Sequence, residues 1–162
     1  LSASIDEPPP IAAAATEVAP VGPRSAAPTL SPGAVPSATT VVPSAAPIAT
    51  PTPIARSGSF HGSDDFHFGR GTARLIEATP GSFVIRLESF AVRNGPDLYV
   101  YLSPSDDGYA AGAIELGKLK ADTGNQNYVV PAGALDDPAQ AASVVIWCKQ
   151  FSHLFATAPL AA

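Results

Sequence analysis

The chain has 162 residues, with 9 Lys and Arg against 14 Asp and Glu, a formal charge of −5, one Cys and no Met. An acidic balance without a Lys/Arg stripe argues against nucleic acid and anionic lipid as partners, and no apolar run approaches the roughly 20 residues of a membrane-spanning helix. A single cysteine closes no internal disulfide, so whatever folds must rely on an apolar core.

The composition is split in two. From Leu1 to Ser57 there are no aromatic residues, 12 of the 18 prolines and five charged residues; all twelve aromatics lie between Phe60 and Phe155. Prolines at 20, 23, 28, 32, 36, 43, 47, 51 and 53 each remove a backbone donor and push their predecessor towards extended geometry. Without a patterned apolar face, this segment cannot offset its ordering entropy. Residues 1–57 are therefore expected to form a disordered Pro/Ala/Thr/Ser-rich stalk of polyproline II and coil, reaching about 3.1 Å per residue. The plain reading is a passive spacer; the functional one is a stalk O-glycosylated at Thr39, Thr40, Thr50 and Thr52. The boundary is expected near Arg56-Ser57-Gly58, leaving residues 58–162 for one small domain. The lack of an initiator Met reads as a processed product or an excerpt, with a signal peptide or N-terminal anchor before Leu1. The expected localisation is extracytoplasmic, secreted or tethered to the cell envelope.

Within residues 58–162, short β-rich runs alternate with turn signals. Thr72 to Ala78 leads into the hairpin break Thr79-Pro80-Gly81-Ser82. Phe83, Ile85 and Leu87 then share one face, with Arg86 and Glu88 on the other, as in a half-buried strand. After the turn Asn94-Gly95-Pro96, the run Asp97 to Ser103 sets Leu98, Val100 and Leu102 against Tyr99 and Tyr101. Ile114 to Leu119 and Gln126 to Val130 are weaker strands flanking an expected turn at Thr123-Gly124-Asn125. Val144 to Cys148 is the strongest β run, and Leu154-Phe155 closes the sheet. Ala132 to Ala142 is broken by Gly133 and Pro138 and forms no amphipathic helix. The fold class is all-β, a small antiparallel sandwich.

Cys148 is the residue most able to carry chemistry. Alternation puts it with Val144 and Ile146, opposite Trp147 and Lys149. Its plain reading is a buried small hydrophobe. As a thiolate it would instead serve as a redox thiol, with Lys149 as a cation to lower its pKa, or as an axial ligand to a prosthetic group such as haem. Trp147, Tyr128, Phe151 and Lys149 are the expected supporting pocket, and His67 and His153 the candidate second ligands. His153 lies five residues beyond Cys148, an offset that sends it to the other face unless a turn intervenes. No histidine pair has metal-ligand spacing, so no metal site is expected. The acidic pairs Asp64-Asp65, Asp106-Asp107 and Asp136-Asp137 match no EF-hand loop and read as solvated turns. Gly69-Arg70-Gly71 is a turn and not a dinucleotide fingerprint. No Gly-x-Ser-x-Gly is present, and hydrolase chemistry is unsupported.

Four pieces of the chain carry a family likeness. They are Gly58-Ser59-Phe60 with Gly69 to Ala73; Phe90 with Asn94-Gly95-Pro96-Asp97-Leu98-Tyr99 and onward to Ser103; Leu116 to Lys120 with Gly124 to Tyr128 and Pro131; and Val144 to Ser152 with Phe155, Ala158 and Leu160. Together they resemble the DM-thirteen domain of Skeletor-type and bacterial surface proteins. The resemblance implies a β-sandwich related to the haem- and sugar-binding DOMON class. It also implies an electron-transfer role centred on a cysteine that falls on Cys148, by thiol or by bound haem, towards an unknown redox partner. Such a domain is more an electron-transfer or binding module than an enzyme. The competing expectation is a surface recognition or adhesion module, binding carbohydrate or protein on Tyr99, Tyr101 and Tyr109.

Overall fold

The computed structural model describes residues 3–10 and 54–162. The chain divides into two units, Leu1–Ala13 with Pro51–Ala162, and Ala14–Thr50; the second, with most of the expected stalk, lies outside the described residues. The first unit is all-β. Its strands are β1 (Ser4–Asp6), β2 (Ile54–Ser59), β3 (His61–Gly62), β4 (Gly69–Thr79), β5 (Ser82–Val92), β6 (Leu98–Ser103), β7 (Ile114–Lys118), β8 (Thr123–Val129), β9 (Ser143–Cys148) and β10 (His153–Pro159). They form two five-stranded sheets, ordered β1-β8-β5-β4-β2 and β3-β10-β9-β6-β7. All pairings are antiparallel except β1 on β8. Among the described residues, no helix is long and apolar enough to cross a membrane.

Alternation explains the core. Leu75, Ile85, Leu87 and Phe90 from the first sheet share one cluster with Val100, Leu102, Val144, Ile146 and Cys148 from the second. Each fully buried Leu, Ile or Val contributes roughly 1.5–3 kcal/mol. β9 reads as a continuous apolar run because both of its faces are covered. Val145 has no exposed surface although it lies outside the core cluster. On that outer side the loop after β6 folds back, with Ser103 Oγ donating to the Gly108 carbonyl at 2.6 Å and Tyr109 stacked on Trp147.

Two expectations change at the N-terminal side. Ser4–Asp6 and the first four residues of β2, Ile54 to Ser57, both placed in the stalk by composition, lie in strands of the first sheet. Thr123-Gly124-Asn125, expected as a turn, opens β8 and pairs with both Ser4–Asp6 and Phe90-Ala91. Gly124 adopts φ +107°, and a Cβ there would overlap the Ile5 backbone, so glycine is what lets β1 approach. The segment from Ala132 to Ala142 contains a single 3-10 turn, Pro138–Gln140, capped by Asp137.

Candidate functional site

The open end of the sandwich carries the chemistry. β9 ends at Cys148, and the chain reverses through Lys149–Ser152, where Ser152 takes φ 49° and donates its N–H to the Lys149 carbonyl at 3.3 Å. This turn returns His153 directly opposite Cys148. Residues directly opposed in an antiparallel pair share a face. The five-residue offset therefore sends His153 to the face of Cys148, because the turn intervenes.

His67 arrives from the other side of the same end. The loop after β3 is tied to β10 by Ser63, whose N–H donates to the Phe155 carbonyl and whose Oγ donates to the Leu154 carbonyl. Asp64 Oδ1 accepts from the backbone N–H groups of Phe66 (2.9 Å) and His67 (2.7 Å), which orients the carboxylate. Its Oδ2 accepts from His67 Nδ1 at 2.7 Å. These hydrogen bonds from His67, side chain first, hold the Asp64 carboxyl far below the usual carboxylate range. His153 Nε2 lies 3.2 Å from His67 Nδ1 and 3.5 Å from Asp64 Oδ2. Both histidine rings contact Phe155.

Beside this cluster opens a cleft of about 440 Å³, lined by Phe66, His67, Arg93, Asn94, Gly95, Pro96, Phe151, His153 and Phe155. Arg93 sits 3.7 Å over the Phe66 ring. Gly95 is required by packing: a Cβ there would meet the Phe155 ring and Leu98. Asn94, Gly95 and Pro96 also wall a second cleft of about 300 Å³, which Ala3 and Asp122 line as well. There Asn94 Nδ2 donates to Asp122 Oδ2 at 3.3 Å. The carboxylate of the neighbouring Asp97 pairs with Lys118 at 3.4 Å, and its backbone carbonyl accepts the Lys149 N–H.

Cys148 itself is sealed. It has 0 % exposure, sits in the hydrophobic cluster, and lines neither cleft. The expected supporting residues do not form a pocket around an open sulfur. Trp147 points away and stacks on Tyr109, with ring centroids 4.7 Å apart. Lys149 lies 3.7 Å over Tyr99 and pairs with Glu115, so it lends the thiol no charge. Tyr128 is buried in the other sheet, its hydroxyl donating to Gln126 Oε1 and accepting from the Lys120 N–H. Only Phe151 reaches the cleft, and it is largely exposed.

Haem does not fit these residues. A thiolate ligand would need space beside a sulfur that has none exposed, and the two histidine nitrogens face each other instead of flanking a ring plane. The tyrosine platform is also altered. Tyr101 is buried with its hydroxyl donating to Glu115, Tyr99 lies under Lys149, and Tyr109 alone is broadly exposed. The convergence of Asp64, His67 and His153 has no signal in sequence spacing, because it depends on the β10 turn and on the loop after β3.

Neither the curated proteins nor the solved structures gave a match to the chain. The family model described as "Electron transfer DM13" matches residues 59–160, which takes in every strand from β3 to β10 and every residue that lines the larger cleft. This chain belongs to the electron transfer DM13 family.

Proposed function

We propose that the folded unit is an extracytoplasmic, non-enzymatic electron-transfer module that exchanges electrons with its redox partner at the cleft end of the sandwich. The observation that carries this reading is the pairing of Cys148 with His153, which ties the family's cysteine to a residue lining the cleft. Directly opposed side chains lie about 5 Å apart at Cβ. Cys148 then acts as the buried neighbour that sets the position of His153, and not as a thiol open to solvent oxidants. Phe66 and Phe151, both broadly exposed at the rim, offer a partner an aromatic contact, with the Arg93 guanidinium stacked on Phe66.

Voltammetry on the full chain, isolated from the extracytoplasmic fraction of expressing cells, tests the reading. A reversible couple is expected from a prosthetic group held at the cleft, unaffected by prior treatment of the native protein with iodoacetamide. His153→Ala should slow electron exchange at least about tenfold, whereas His61→Ala should not. Absence of any couple overturns the reading, and a couple abolished by alkylation returns the role to the Cys148 thiol.

A further inference from the structure

Three donor atoms converge at the mouth of the larger cleft. His67 Nδ1, His153 Nε2 and an Asp64 oxygen all lie within 4.8 Å of one another. The sides of their triangle are 2.7, 3.2 and 3.5 Å. Two imidazoles and a carboxylate are the donor set that first-row transition ions take, and three protein ligands leave further coordination positions open.

The separations also select the size of the ligand. Metal–nitrogen bonds of about 2.0–2.1 Å place neighbouring ligands about 2.9–3.4 Å apart around an octahedral or tetrahedral ion. The 3.2 Å between the nitrogens lies in that range. Axial ligands on opposite faces of a haem would stand about 4 Å apart with the ring between them. The pair is therefore arranged as cis ligands to one small ion.

The surroundings hold the ligands in place. Asp64 is oriented by two backbone N–H groups, the loop that bears it is tied to β10 by Ser63, and both imidazoles pack on Phe155. Fixed ligand orientation of this kind is what raises metal affinity.

We infer that Asp64, His67 and His153 form a binding site for a divalent first-row transition ion, with copper(II) bound most tightly among them. The ion would supply the redox centre that the electron-transfer reading needs. The role rests on that reading; the binding rests on geometry alone.

Titration of chelator-stripped full chain with copper(II), followed by calorimetry and electron paramagnetic resonance, tests the site. One ion per chain is expected, with hyperfine lines from imidazole nitrogen. His67→Ala, His153→Ala and Asp64→Ala should each weaken binding at least about tenfold, and His61→Ala should leave it unchanged. Zinc(II) should compete, and calcium(II) should not, because imidazole suits the former and not the latter. Circular dichroism of each variant shows that the fold persists. Copper bound equally by the wild type and the His67→Ala/His153→Ala pair overturns the inference, as does no binding at all. A redox couple without copper binding leaves the electron-transfer reading intact, whereas copper binding without a couple removes that reading and keeps the site.

Discussion

Cys148 pairs with Leu98 on one side and His153 on the other, and none of its surface reaches water. A thiol in that position is protected by the whole sandwich, so its reaction with solvent reagents must follow unfolding. Iodoacetamide should leave the native chain unlabelled and label it fully in denaturant; mass spectrometry reads the difference, and rapid native labelling would show the burial to be wrong. Cys148→Ser should destabilise the fold by roughly 1–3 kcal/mol, the penalty of a buried hydroxyl without a partner, measured by denaturant unfolding. The face was legible in the residues themselves, since Val144, Ile146 and Cys148 fall together by alternation and Trp147 opposite, but alternation left open whether that face was sealed at Cys148. The environment of His153 was not legible. Its position depends on Ser152 adopting a left-handed backbone, which serine does rarely and which no local pattern announces.

At the level of elements, β1 shows how much a short segment can gain from docking. Ala3 N–H donates to Asp122 Oδ1, Glu7 N–H donates to the Asn125 carbonyl, and Asn125 Nδ2 donates to Asp6 Oδ1. The Glu7 carboxylate accepts from Lys120 Nζ at 2.7 Å and from the Asn127 N–H, while its carbonyl accepts from the nearly buried Arg86. The Lys120 hydrogen bond is the main reason that the Glu7 carboxyl sits below its ordinary value of 4.5. A carboxyl lowered on docking stabilises the docked strand at pH above its ordinary value, and the contribution is lost as pH falls through the lowered value. Acidification from neutrality to below about 4.5 should therefore loosen β1, seen as shifts in the NMR signals of the Thr123–Asn127 amides. Glu7→Gln should reproduce part of that change at neutral pH, at about 1 kcal/mol or less. Gly124→Val should displace β1 outright, because the valine would overlap Ile5. Amide signals that ignore all three changes would remove β1 from the sheet. Nothing in Ser4-Ile5-Asp6, with Glu7 and then three prolines after it, marks it as a strand; only an edge with a glycine at the right register does so.

Over the whole molecule, the two sheets enclose Tyr128, and burial pushes its phenol up to about 12. A group raised on folding stabilises the fold below its ordinary value of 10.0, and the contribution is lost as pH climbs through the folded one. Stability should thus fall between about pH 10 and 12, and Tyr128→Phe should flatten that fall; a denaturant titration series across the interval measures it, and an unchanged alkaline slope would refute the assignment. Composition and alternation were enough to determine an all-β unit in the second part of the chain and the faces of β5, β6 and β9. These are local properties, since a period of two and a run of β-branched residues need no knowledge of the partner strand. The turn expected at Thr123–Asn125, the docking of β1 and the meeting of Asp64, His67 and His153 were decided by tertiary structure alone. Each joins residues far apart in the chain, whose proximity depends on strand register and loop closure, and side-chain spacing along a sequence carries no record of either.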